Sequence, residues 1–357
     1  MKALIAMSGG VDSAVAAYLT KAAGDDCIGC TMKLYENEDA GISREHTCCS
    51  LDDVEDARSV AYRLGIPYYV FHFGEEFRTK VIDKFVSSYC RGETPNPCID
   101  CNRYLKFDRL MHRAKVLGCD YVVTGHYARI EYTEGRYRLK KAVDEKKDQS
   151  YVLYTLTQEQ LAHVRFPLGS MTKTETRRIA AEQGFLNAEK PDSQDICFVP
   201  DGNYAKVIAV HTGSTPQPGN FTDSNGNILG THRGLCRYTV GQRRGLGLSF
   251  PEPRYVTALE PKTNTVVLGK EQELYAATLK AVDVNWIAGA PPQGPIPCEA
   301  KIRYSQKPQP ATATPNKDGS VTVTFQAPQR AITPGQAVVL YDNDTVLGGG
   351  TIKEAFR

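Results

Sequence analysis

Two glycines set directly behind a short apolar run constrain this chain more than any other feature. Ala3-Leu4-Ile5-Ala6-Met7 is too short for a helix and reads as a buried strand. Ser8-Gly9-Gly10-Val11-Asp12-Ser13 follows, and Ala14-Val15-Ala16-Ala17-Tyr18-Leu19 opens a helix behind it. Glycine lets the backbone turn sharply. The order strand, loop, helix then turns free backbone N–H groups and the positive end of the helix dipole toward one anion. A phosphate is the expected ligand. No Lys follows the glycines as a P-loop requires, and their spacing is not that of a dinucleotide fingerprint.

The pattern Ser-Gly-Gly-x-Asp-Ser instead resembles the pyrophosphatase-type loop of enzymes that adenylate a substrate. The chain around it alternates strands and helices as far as about residue 200. Asp26 to Met32, Pro67 to Phe71 and Tyr121 to Thr124 read as further strands. Ser50 with Asp53 reads as a capping box, after which Leu51, Val54, Ala57, Ala61 and Leu64 keep one helical face until Gly65. Phe77, Val81, Phe85 and Tyr89 share another face, and Leu110, Met111, Ala114 and Leu117 a third, ended by Gly118. Thr172 with Glu175 caps a helix that stops at Gly184. The expected architecture is a doubly wound α/β domain with a parallel sheet. Its ligands belong beyond the carboxyl ends of the strands, where Ser8 to Ser13, Met32 and Thr124-Gly125-His126 fall.

Ala128 to Tyr132 and Arg136 to Lys140 read as a basic hairpin inserted after the fourth strand. From His211 to Gly234 the composition becomes that of loops and short strands. A small mixed, largely β central domain follows, with strands at Tyr255 to Leu259 and Thr265 to Leu268 around the basic stretch Gly241-Gln242-Arg243-Arg244-Gly245. Lys301 to Tyr304, Val321 to Phe325 and Ala337 to Tyr341 then predict a C-terminal antiparallel β-barrel. The expected domains are 1–208, 209–278 and 279–357, which suits a chain of 357 residues.

No apolar run approaches the roughly 18 residues of a membrane span, and no basic segment leads into an apolar one at the start, so a cytoplasmic protein with no membrane partner is expected. A net charge of +2 announces no general affinity for nucleic acid, so any polyanion must meet local patches. The odd number of cysteines, 11, favours thiol, metal or redox chemistry over a disulfide framework. Cys27 and Cys30 lie in a predicted strand, where an odd separation sends side chains to opposite faces, so they read as core packing. Cys98 and Cys101 follow Thr94-Pro95-Asn96-Pro97 and open a helix, where the dipole stabilises a thiolate as nucleophile or metal ligand. Cys197 sits in a loop behind Asp192-Ser193-Gln194-Asp195. Cys48 and Cys49, beside His46, read as loop residues for want of further ligands at zinc spacing. Lys146-Lys147-Asp148-Gln149-Ser150 taken alone is equally a solvated charge run.

SGGVDS, TMK, TPNPCxxCN, TGHYAR, KDQSY, DSQDICF, YTVGQRRGLG and TPGQAVVLY occur in one order across essentially the whole chain. Together they resemble the tRNA-specific 2-thiouridylase family, which places sulfur on the wobble uridine of certain tRNAs. The resemblance implies a PP-loop fold of the adenine nucleotide alpha-hydrolase-like kind. It implies ATP with Mg2+, bound by Ala6, Met7, Ser8, Gly9, Gly10, Val11, Asp12, Ser13, Met32 and Gly125. The target base would meet Asn96, Pro97 and Cys98, and the tRNA would touch His126, Lys147, Asp148, Gln149, Arg303, Tyr304 and Gln336. Sulfur chemistry would belong to Cys101 and Cys197: a persulfide on Cys197, loaded by a cysteine desulfurase or a sulfur-relay protein, and Cys101 resolving it. Many bacterial members carry Asp where this chain has Cys98, and a thiol does not inherit the acid–base role of a carboxylate. Cys98, Cys101 and Cys197 also suit an iron–sulfur cluster with one open iron, the alternative to persulfide relay. Two other readings stay open at this level: a PP-loop ligase acting on a small metabolite, and a metal-stapled nucleic-acid-binding protein.

Overall fold

The structure is a computed structural model that describes residues 1–35, 51–191, 196–199 and 202–356. The first apolar run forms β1 (Lys2–Ala6), and α1 (Val11–Ala22) starts directly behind the glycines. Next come β2 (Asp26–Lys33), α2 (Leu51–Leu64) and β3 (Tyr68–His72). The third strand begins one residue later than expected because Pro67 has no N–H to give the ladder; its carbonyl still accepts from Gly29 at 2.8 Å. Phe77, Val81, Phe85 and Tyr89 are all buried along one continuous helical run, α3 (Gly74–Phe77), a π-helical stretch (Arg78–Ile82) and α4 (Asp83–Cys90). A second such run is α5 (Pro97–Asp100), a π-helical stretch (Cys101–Arg109) and α6 (Leu110–Val116). The predicted caps at Ser50, the Cys48–Cys49 pair with His46, and Asp192 to Asp195 lie outside the described residues.

β4 (Tyr121–Val123) returns to the sheet, whose order β3-β2-β1-β4, continued by β7 (Val164–Arg165), is parallel throughout. The hairpin of β5 (Ala128–Thr133) and β6 (Arg136–Lys141) turns on Glu134 and Gly135, both at positive φ as a two-residue turn requires. The edge strand β7 (Val164–Arg165) has only two residues, too few for any periodic signal. α7 (Gln158–Ala162) precedes it, and α8 (Lys173–Glu182) follows with the predicted capping box of Thr172 and Glu175 in place. The sheet alternates its burial: Ala3 and Ile5 face α1 and α2, while Leu4, Ile28 and Val122 face α6.

α9 (Tyr204–Thr212) buries Ala205, Val207 and Ile208 in one cluster with Phe77, Phe85 and Phe198, and the expected cut at 208 lies within this helix. Beyond it, β8 (Gly219–Thr222), β9 (Ile228–His232), β10 (Tyr255–Glu260) and β11 (Thr265–Gly269) make a sheet of order β10-β11-β8-β9. The last six strands are β12 (Tyr275–Trp286), β13 (Ile296–Lys301), β14 (Gln309–Pro315), β15 (Val321–Arg330), β16 (Ala337–Asp342) and β17 (Thr345–Phe356). Antiparallel pairing of β12 with both β15 and β17 closes them into the barrel, and the cut expected at 278 falls inside β12. The strand predicted from Lys301 to Tyr304 keeps only Lys301: Ile302 N donates to Gln306 Oε1 at 3.1 Å, which bends the chain off the sheet.

The hairpin belongs to the barrel sheet, with Thr345 opposite Lys140 and Arg129 paired to Asp344 at 2.8 Å. One core runs through this junction: Phe107, Leu139, Tyr151 and Leu153 pack with Val339, Tyr341 and Val346.

Candidate functional site

Backbone contacts fix the loop between β1 and α1. Gly9 has φ +76°, and a Cβ there would stand 2.5 Å from the Asp53 carbonyl oxygen. A Cβ on Gly125, just past β4, would stand 2.8 Å from Ser13 N. Ser8 N donates to Ser13 Oγ at 3.1 Å, and Ser13 Oγ donates to Gly10 O at 2.9 Å. Met7 is anchored to the second strand through Thr31 Oγ1, which donates to its carbonyl at 2.6 Å, one residue before Met32. Gly10 caps α1 without a side chain, so the first-turn N–H groups face the loop. The cradle that both glycines keep open fits the phosphates of ATP.

Three supports of this loop carry no local sequence signal. Asn187 Nδ2 donates to Gly9 O at 2.9 Å. Asp12 Oδ1 accepts from Lys173 Nζ at 2.7 Å and from Tyr127 OH at 2.9 Å. Lys173 is buried at the first position of α8, where the pattern predicts only a helix start.

Asn96 caps α5, its Oδ1 accepting from Cys98 N at 3.2 Å, with Pro97 in the first helical position. Cys98 is exposed. Cys101 differs from expectation: it lies against the aromatic cluster of Phe77, Phe85 and Phe198, and burial pushes its thiol up to about 11, with Lys106 pulling weakly the other way. Desolvation outweighs the helix dipole here, so Cys101 is a protonated thiol at neutral pH. Cys197 packs on the same cluster, and its carbonyl accepts from Tyr35 OH at 2.6 Å. Cys101 is a free thiol. Among the described residues no three His, Cys, Asp or Glu side chains gather closely enough to hold a metal, so Cys98, Cys101 and Cys197 do not form a cluster-ligand set in this arrangement.

Of the residues expected to touch RNA, His126 and Asp148 turn inward. His126 is 8% exposed, tilted against Phe107 and edge-on to Phe166, with Nδ1 2.7 Å from Thr124 Oγ1; burial holds its pKa well below the usual value, so the ring is neutral. Asp148 accepts from Ala142 N, Ser150 N and Ser150 Oγ at 2.9–3.2 Å and organises the turn instead of facing solvent. Gln149 Oε1 accepts from Tyr127 N at 2.9 Å, and Lys147 is half-buried. Arg303 Nη2 donates to the carbonyls of Arg330 and Ala331. Tyr304 is 43% exposed; burial pushes its hydroxyl up to about 12, with Asp148 and Cys98 adding to the shift. Gln336 Nε2 donates to Thr94 O at 2.8 Å, and Thr94 N donates to Pro334 O at 2.8 Å, which ties the Thr94–Cys98 segment to the barrel. The structure therefore brings Cys98, Tyr304 and Gln336 to one junction and leaves His126 and Asp148 beneath it.

Residues 1–201 match the family model described as tRNA methyl transferase HUP domain, 206–270 the tRNA methyl transferase PRC-barrel domain, and 276–352 the aminomethyltransferase beta-barrel domain. Curated proteins named tRNA-specific 2-thiouridylase MnmA align over the full length. The protein of Clostridium perfringens (strain 13) is 51% identical over 352 residues, 99% of this chain and 98% of that one. That of Clostridioides difficile (strain 630) is 51% identical over 356 residues, again 99% and 98%. That of Acetivibrio thermocellus is 50% identical over 355 residues, 99% of both.

Proposed function

The chain belongs to the tRNA-specific 2-thiouridylase family, and from that premise we propose that it uses ATP to replace the C2 oxygen of a tRNA wobble uridine by sulfur. The observation that supports the sulfur chemistry is that Cys101 and Cys197, far apart in the chain, both pack against one core cluster rich in aromatic rings. A methyl transfer, the wording of two of the domain descriptions, would leave that pair without a task.

In this reading ATP lies with its phosphates in the Ser8–Ser13 cradle, and Lys173 and Tyr127 hold Asp12 beneath it. The C2 oxygen attacks the α-phosphorus, pyrophosphate leaves, the N3 proton is lost, and C2 becomes electrophilic. Cys197, charged as a persulfide by a cysteine desulfurase or a relay protein, attacks C2 through its terminal sulfur, and AMP departs with the original oxygen. Cys101 loses its proton and attacks Cys197 Sγ. The S–S bond of the persulfide breaks, its electron pair stays on the 2-thio sulfur as N3 takes back a proton, and a Cys101–Cys197 disulfide forms. An external thiol reduces that disulfide and resets the site. Magnesium would accompany ATP. No step runs through an iron–sulfur cluster, because the three thiols do not assemble as its ligands.

The test is mass spectrometry of tRNA nucleosides after incubation with ATP and a persulfide donor, with pyrophosphate measured in parallel. Release that depends on tRNA together with 2-thiouridine supports the reading. Release that needs a metabolite and no tRNA overturns it, as does thiolation by Cys101→Ser protein.

A further inference from the structure

A buried lysine without a counter-ion stands beside the cysteine junction. Lys301 ends β13 and is 7% exposed. Among the described residues its ammonium makes no hydrogen bond or ion pair; it lies 5.6 Å from the centroid of the Tyr151 ring and 5.8 Å from that of Tyr304. The carboxylate whose charge it feels, Asp148, is beyond ion-pair distance and already accepts three hydrogen bonds from Ala142 and Ser150. A second cation, Lys141, sits 4.6 Å over the Tyr341 ring. Ring faces attract a cation but do not replace the water it gives up. Burial accordingly lowers the pKa of Lys301, with Asp148 opposing and Lys141 adding to the fall.

A cation kept in such surroundings is completed by an anion that arrives with a ligand. Tyr304 indicates which one. Its ring is 43% exposed, stands edge-on to Tyr151 at 6.0 Å and senses Cys98. An exposed tyrosine is a surface on which a base splayed from single-stranded RNA stacks, and every such base brings a phosphate with it. We propose that Lys301 receives an RNA backbone phosphate flanking the nucleotide presented to Cys98, while the Tyr304 ring beside it stacks a neighbouring base. This rests on the tRNA reading above and adds a residue to it. Arg303, one position before Tyr304, already gives its Nη2 to the barrel carbonyls of Arg330 and Ala331, whereas among the described residues the Lys301 ammonium has no such acceptor.

The test compares the full-length protein with its Lys301→Met and Lys301→Arg variants, measuring tRNA affinity over a series of KCl concentrations, ATP affinity and Tm. Methionine preserves the apolar stem and opens no large cavity. The expected result is about tenfold weaker tRNA binding by Lys301→Met at low salt and a log–log salt slope shallower by about 0.7–0.9, one phosphate's worth. ATP affinity is unchanged, Tm is equal or higher, and Lys301→Arg restores the slope. An unchanged slope overturns the proposal, as does a loss confined to ATP affinity, which would assign the ammonium to a nucleotide phosphate. A fall in Tm that accounts for the lost binding makes Lys301 structural and also overturns it. Wild-type protein that binds no tRNA at all would instead remove the functional reading on which the proposal stands.

Discussion

Cys27 and Cys30 have the same three-residue spacing as Cys98 and Cys101, and the backbone makes opposite things of it. On β2 the spacing sends one thiol into the core under α1 and α2 and the other into the core under α6, each less than 2% exposed. At the start of α5 the same spacing keeps both thiols on one side of the chain, one exposed and one against the cluster that also holds Cys197. A two-cysteine motif is therefore not a chemical statement until the secondary structure beneath it is known. The helix pair also gains what the strand pair lacks: a proline-held approach, an Asn96 cap and a tie to the barrel.

The largest effect that would break this contrast comes from the helix pair. Cys101→Ser should lower 2-thiouridine formation at least about 1,000-fold, read by nucleoside mass spectrometry, while Cys30→Ala leaves the rate per folded molecule unchanged. Equal losses from both would end the distinction. Next is the loop that serves only one of the pairs. Gly9→Ala forces a side chain onto φ +76° and into the Asp53 carbonyl, and should slow tRNA-dependent pyrophosphate release roughly 100-fold. Alkylation then separates the partners inside the helix pair. With its pKa near 11, Cys101 should react with iodoacetamide tenfold faster per pH unit between pH 7 and 10, far behind exposed Cys98 at neutral pH. Flat kinetics for Cys101 over that range would contradict its burial. In the strand pair, Cys30→Ala should cost about 1–2 kcal/mol of stability by denaturant unfolding. Smallest is Gln336→Leu, which leaves Thr94 O without its donor and should cost about 1 kcal/mol.

Much of the first unit was legible because its signals are local. The glycine loop, the Thr172–Glu175 box and the alternation that separates Cys27 from Cys30 each depend on a few neighbouring residues. What stayed hidden depends on distant ones. The barrel membership of the hairpin needs Asp344, and the β7 edge strand exists only because β4 offers it a ladder. The π-helical stretch at Cys101 preserves an apolar face much as an α-helix does, so the pattern does not reveal it. The burial of Cys101 was missed because the cluster it packs against draws Phe77 and Phe198 from two other segments, and Asn187 and Lys173 reach the loop from beyond position 170 for the same reason.

The core shared by Tyr151, Leu139 and Tyr341 has a consequence in time as well as in space. Arg129 and its partner Asp344 are 215 positions apart, so a ribosome adding roughly 5–20 residues per second leaves the hairpin waiting on the order of 10–40 s for the strand that receives it. During that interval the nascent N-terminal part carries an unpaired strand edge and bare tyrosines, and its maturation ends only when the last strand has been made.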